Sequence, residues 1–260
     1  MRLLLLAAAA SLALAAAAAQ QTTIATPPPA RPGPDYSAVI APPPLKHSAE
    51  ADADRKIFLA SRKLKGSPRW ALAQQDAVLT MPQVANDTFA CSLDAPISAD
   101  ATPRLVALLT KALRIAGGAT AKPKDSYQRP RPFVAYPNAP LCAPLHDPKN
   151  WSYPSGHAAA GWGMALVLAE VAPDRAADIL ERGRQFGESR AFCGVHWLSD
   201  LAPGRELAAG AIAATHADPQ FEADVAAARA EVAAERAAGA RPARDCAKDA
   251  AALATPLPQR

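Results

Sequence analysis

The chain has 260 residues, about a quarter of them alanine, with 26 prolines, few aromatics (Phe 6, Trp 4, Tyr 4) and a formal net charge of +4. This length suits one domain with short appendages and can bury a sizeable core. Half of the residues are hydrophobic, which excludes a mostly disordered chain; abundant alanine with few β-branched residues nearly excludes an all-β sandwich; and so mild a charge does not call for a nucleic-acid partner.

Met1 to Ala19 has the form of a secretory signal peptide. Arg2 supplies the positive start, Leu3 to Ala18 the apolar stretch, and the small residues Ala17 and Ala19 a cleavage site before Gln20. The stretch is marginal for a bilayer span of about 20 residues, and no cysteine near the cut offers a lipid anchor. The best later apolar run, Ala158 to Ala169, is short and ends at Glu170, as a buried core helix would. The expectation is a periplasmic or secreted protein, free of the membrane once cleaved.

Residues 20–47 are proline-rich (Pro27 to Pro29, Pro42 to Pro44) and predict an extended surface segment. A helical domain is expected over 48–240, followed by a tail over 241–260. The predicted helices run from Ser48 to about Leu64, Trp70 to Leu79 and Ala99 to Ala116, the last closed by Gly117-Gly118. A short helix through Lys124 to Gln128 should stop at Pro130 and Pro132. Four more follow at Gly156 to Ala169, Asp174 to Gly187, Trp197 to Thr215 and Glu222 to Ala238, with Pro203 tolerated in a first turn. The fold class read from this pattern is all-α, a compact helical bundle. Alanine-rich faces would also permit packing between copies of the chain.

Four cysteines, Cys91, Cys142, Cys193 and Cys246, in an exported chain suggest two disulfides. Three connectivities are open; the preferred pairing is Cys91–Cys142 with Cys193–Cys246.

Three clusters carry chemistry. The first is Lys124-Asp-Ser-Tyr-Gln-Arg129-Pro130-Arg131-Pro132. Lys124 and Arg131 are seven apart, so on a helix they could point the same way, and arginine suits bidentate contact with phosphate oxygens. The second is Pro154-Ser155-Gly156-His157, entering an apolar helix whose free N–H groups would attract an anion; Gly156 permits close approach and Ser155 offers a hydroxyl. The third is Ser189-Arg190-x₅-His196-x₃-Asp200. His196 and Asp200 are four apart, as on one face of a helix start, and a carboxylate on one imidazole nitrogen leaves the other as a nucleophile. Singly, the first two read better as a solvated basic face and an ordinary serine N-cap with a surface histidine, and the third equally well as a capping His–Asp pair. Together they describe a phosphoryl-transfer site that uses no metal. His47, His146 and His216 have no partner at ligand spacing and are expected to be bystanders.

In order and register the three motifs resemble the signature of the type 2 phosphatidic acid phosphatase superfamily. The stretch Gly187-Glu-Ser-Arg-Ala-Phe-Cys-Gly-Val-His-Trp resembles the bacterial class A nonspecific acid phosphatases. Lys122-x₆-Arg129-Pro130 fits the first motif as well; Lys124 and Arg131 are preferred because Arg131-Pro132-Phe133 is closer to the family sequence. The resemblance implies a bundle of the acid phosphatase/vanadium haloperoxidase type that hydrolyses many phosphomonoesters without a cofactor. It implies His196 as nucleophile, Asp200 as its orienter and His157 as general acid and base. Lys124, Arg131, Ser155, Gly156 and Arg190 would hold the phosphoryl oxygens. His196 neutral and His157 protonated at once would give a bell-shaped pH profile, with its optimum on the acid side. The partners expected are small phosphate esters. The rival readings are a vanadium-dependent haloperoxidase, whose vanadate mimics phosphate, and a non-catalytic phosphate-binding protein.

Overall fold

The computed structural model describes residues 35–143, 147 and 149–258. The signal-peptide reading, the first proline triplet and His146 lie outside these residues. Among the described residues every regular element is helical, and no helix is long and apolar enough to cross a membrane.

Several helix starts have a local cause. In α1 (Ala49–Arg62), the Ser48 side chain accepts from the Ala51 N–H. In α2 (Pro68–Gln75), Ser67 caps Trp70 and Pro68 takes the first position, where its missing N–H costs nothing. A helix the sequence reading did not place, α3 (Gln83–Leu93), follows. It is rich in Asn, Asp, Thr, Ser and Cys, poor helix formers that hide its pattern, and packing decides it instead: Val84, Phe89 and Leu93 are buried. α4 (Pro103–Gly118) contains Gly117 and Gly118 rather than stopping before them. Glu231 of a later helix accepts from the Arg104 and Leu105 N–H groups at 3.0 Å, which satisfies the positive end of α4.

The scaffold centres on α7 (Gly156–Val171), buried on all sides, as its unbroken apolar sequence requires. It packs against α4, α8 (Ala176–Phe192) and α9 (Leu201–Ala213). α8 runs five residues past the predicted Gly187, because its last turn is buried rather than amphipathic. Small residues set the spacing between α7 and α8. A Cβ on Gly183 would lie 2.4 Å from the Ala165 Cβ, so alanine and glycine let the two backbones approach. The main core joins Phe89, Leu109, Met164, Leu168, Phe186 and Phe221, drawn from α3, α4, α7, α8 and α10 (Pro219–Ala237).

Two disulfides are present, and they correct the preferred pairing. Cys91 of α3 bonds Cys246, and Cys142 bonds Cys193. The first ties down a terminal helix (Cys246–Leu253) inside the stretch expected to be a tail; its capping Asp245 accepts from Lys248. The second fastens the loop after α6 (Pro132–Ala135) to the end of α8. The true partners are 155 and 51 residues apart, so spacing could not choose between them.

Candidate active site

The first motif does not lie on one helix. α5 (Ala121–Tyr127) carries Lys124 and ends at Gln128, whose φ of 45° reverses the chain. Residues 129–131 then lead, without regular structure, into α6. Arg129 and Arg131 part company there, as their partners show. Arg131 Nη2 donates to Asn150 Oδ1 (3.0 Å), and its Nη1 donates to the Val195 carbonyl at 2.7 Å. Arg129 turns away, to Asp54 and Asp200. Lys122 is exposed and pairs with Asp35, so the alternative register places its two cations apart.

The second motif delivers its residues through a helix cap. Ser155 is fully buried and its Oγ accepts from the Ala158 N–H at 3.3 Å. Gly156 opens α7 beside Lys124, with Thr120 Oγ1 at 3.3 Å from where a Cβ would stand. His157 Nε2 lies 3.2 Å from the Ala77 carbonyl, and its ring stacks on Phe186. A carbonyl only accepts, so Nε2 carries a proton.

The third motif spans the end of α8 and a turn. Arg190 sits in the last turn of α8, fully buried, and its Nε and Nη1 have no hydrogen-bond partner. Buried guanidinium nitrogens seldom go unpaired, and an anion would satisfy these two; Arg182 Nη1 and Arg236 Nε are left in the same state. Behind it Asp76 accepts from Ser189 Oγ and Arg182 Nη2, both at 2.5 Å. His196 and Asp200 do not share a helix face. A 3₁₀ turn over Leu198–Asp200 returns the carboxylate to the Trp197 N–H at 2.9 Å and to His196 Nδ1 at 3.2 Å. Ser152 Oγ donates to the same carboxylate oxygen, Oδ2, at 2.5 Å. Arg131 Nη1 stands 3.0 Å from His196 Nε2. An arginine N–H can only donate, so the lone pair is on Nε2 and the ring proton is on Nδ1, facing Asp200.

Lys124, Arg131, Gly156, His157 and His196 line one cavity of about 280 Å³ together with Asn150 and the apolar Leu79, Leu113 and Ala160. Ser155, Arg190 and Asp200 are not among its lining residues; Ser155 caps α7, Arg190 feels the charge of Arg131, and Asp200 bonds His196 Nδ1. Burial, with Arg131 nearby, pulls the Lys124 ammonium down to about 7. Burial likewise lowers Arg131 and Arg190 to about 10. These cations are held where their charge is costly unless an anion joins them. Among the described residues no cluster of His, Cys, Asp and Glu is spaced to hold a metal ion. His216, read as a bystander, pairs with Glu170 and Glu222.

Sequence reasoning missed Asn150, Ser152, Asp54 and Asp76. Arg129 entered the sequence reading only as the alternative to Arg131 in the first motif. The PAP2 superfamily model matches residues 105–223. The chain is 43% identical over 196 residues to an acid phosphatase of Zymomonas mobilis, covering 74% of each chain. It is 39% identical over 191 residues to a non-specific acid phosphatase of Providencia stuartii, covering 72% of this chain and 77% of that one. With a non-specific acid phosphatase of Salmonella typhimurium the identity is 38% over 197 residues, 74% of this chain and 78% of the relative.

Proposed function

The chain belongs to the PAP2 superfamily, among its bacterial acid phosphatases, and from that premise we propose that it is an exported, metal-independent acid phosphatase that hydrolyses a broad range of phosphomonoesters through a phosphohistidine. The observation that carries this reading is the double engagement of His196, with Nδ1–H on Asp200 and the Nε2 lone pair beside Arg131 at the cavity wall.

In the first step His196 Nε2 attacks phosphorus in line, and the bond to the leaving oxygen breaks as His157 gives that oxygen a proton. Because the Nε2–H of His157 faces the Ala77 carbonyl, the proton exchanged is the one on Nδ1. Asp200 stabilises the charge that develops on His196. In the second step His157 takes a proton from water, which attacks phosphorus and frees His196. Lys124, Arg131, Arg190, the Gly156 N–H and the Ser155 hydroxyl hold the phosphoryl oxygens, where fixed charge counts most in the transition state.

Broad specificity fits a cavity whose lining beyond the motif residues is largely apolar, with Leu79, Leu113 and Ala160. Export to the periplasm fits the apolar N-terminus of the sequence and the pairing of all four cysteines.

The test is chemical trapping. Quenching during turnover of labelled p-nitrophenyl phosphate should capture an acid-labile, alkali-stable phosphoryl group on the protein, with undiminished turnover in EDTA. His196→Ala should lose both label and turnover. Turnover by that variant, or an EDTA-sensitive rate, overturns the reading.

A further inference from the structure

We propose that Arg129 and Asp54 are positioning residues for the reaction, acting on His196 through Asp200; the inference rests on the reading of His196 as nucleophile. Arg129 uses both arms of its guanidinium. Nη1 donates to Asp200 Oδ1 at 2.6 Å and Nη2 to Asp54 Oδ2 at 2.8 Å. Ser199 closes the ring. Its Oγ accepts from Arg129 Nη1 at 2.7 Å and donates to Asp54 Oδ2 at 2.5 Å, and its N–H donates to Asp54 Oδ1 at 3.0 Å. Asp54, Ser199 and Asp200 are buried and the Arg129 side chain nearly so.

The division of labour at Asp200 is clear. Oδ2 takes His196 Nδ1–H, the Ser152 hydroxyl and the Trp197 N–H. Oδ1 takes only Arg129 among the bonds described. The guanidinium fixes the carboxylate plane from behind, so Oδ2 stays aimed at Nδ1. Asp54 in turn keeps the guanidinium from swinging, and it comes from α1, 146 residues before Asp200 in the chain. The stacking of Arg129 over the Trp197 ring, 5.7 Å from its centroid, holds the same plane.

Charge gives the second reason. A single Arg–Asp200 pair would be formally neutral and would spend the carboxylate on the arginine. With Asp54 included, the buried set of two carboxylates and one guanidinium carries a formal charge of −1. When the Nε2–P bond forms and the P–O bond breaks, His196 keeps its Nδ1 proton and becomes a cation. That cation balances the set. Water attack then reverses the charge as the Nε2–P bond breaks. The network therefore favours the phosphorylated state and the transition states flanking it, and it contributes nothing directly to phosphate binding.

The experiment is steady-state kinetics on Asp54→Asn and Arg129→Lys with p-nitrophenyl phosphate, alongside inhibition by inorganic phosphate and far-UV circular dichroism. Each variant should lose about tenfold or more in kcat with KM and phosphate inhibition within about twofold. Arg129→Lys keeps the charge but cannot bridge both carboxylates, and it supplies the result if Asp54→Asn does not fold. Unchanged kcat in either folded variant, or a loss in kcat matched by weaker phosphate inhibition, overturns the inference. Turnover by His196→Ala in the same series would overturn the phosphohistidine reading itself. Inactive His196→Ala with fully active Asp54→Asn and Arg129→Lys would remove only the positioning roles.

Discussion

Arg131 Nη1 lies 3.0 Å from His196 Nε2 and 2.7 Å from the Val195 carbonyl, so one guanidinium touches both the attacking nitrogen and the backbone that carries it. A phosphoryl oxygen seated on Arg131 is thereby placed next to the nucleophile. Replacing Arg131 by Ala should lower kcat/KM for p-nitrophenyl phosphate by about 10²–10³. Arg131→Lys should recover only part of that loss, since lysine keeps the charge but not the fork that reaches Asn150. Steady-state kinetics on both variants checks this.

Lys124 gives a pH signature. Burial and Arg131 lower it from 10.5 to about 7, so its ammonium form is lost as the pH rises through about 7. Phosphate affinity should therefore be full on the acid side and fall above about pH 7. A bound dianion raises the lysine again, so binding above that pH takes up a proton. Inhibition by inorganic phosphate measured from pH 5 to 9 should show this limb, and Lys124→Met should flatten it.

His157 should matter in proportion to the leaving group. On the proposed mechanism His157→Ala removes the proton donor, so alkyl phosphates should lose about 10²–10⁴ in kcat, while p-nitrophenyl phosphate should lose far less. A rate comparison over a series of leaving-group pKa values checks it; equal losses across the series would point to packing on Phe186 instead.

Gly204 of α9 is a site for a steric probe. A Cβ there would stand 2.4 Å from the Ser155 carbonyl oxygen, while the Ser155 N–H donates to the Asp200 carbonyl at 2.9 Å. Gly204→Ala must push the second and third motifs apart. We expect a loss of about 1–3 kcal/mol in stability, seen in thermal unfolding, with a fall in kcat beside it.

The two disulfides should separate. Cys91→Ser with Cys246→Ser releases a terminal helix none of whose residues lines the cavity, and should cost about 2–5 kcal/mol of stability with kcat little changed. Cys142→Ser with Cys193→Ser frees the turn between Arg190 and His196, and should lower kcat as well. Denaturant unfolding and kinetics on the two double variants decide.

Much of this was legible in the sequence because the chemistry is local. A cation row, a serine-glycine-histidine cap and an Arg…His…Asp run point to a site only in combination and in order, and unbroken apolar or alanine-rich stretches announce α7 and α9. The hidden parts depend on residues that meet only after folding. Asp54 looks like any acidic residue on an amphipathic α1, and nothing near it says that it will bond Arg129. Helix α3 escaped notice because its own propensities oppose it and burial overrides them. The third motif was misjudged in geometry: a spacing of four suits a helix face, yet here a 3₁₀ turn delivers the same contact. The cysteine pairing followed the fold rather than the distance along the chain.

The unpaired nitrogens of Arg190 bear on the end of the reaction as much as on its beginning. A buried cation cluster that attracts the ester will hold the released inorganic phosphate by the same contacts, with no leaving group left to push it out. On the proposed mechanism, product escape rather than bond cleavage would set the ceiling on turnover for the most reactive esters. The same grip would let ambient phosphate slow the enzyme, so that a surplus of product restrained its own supply.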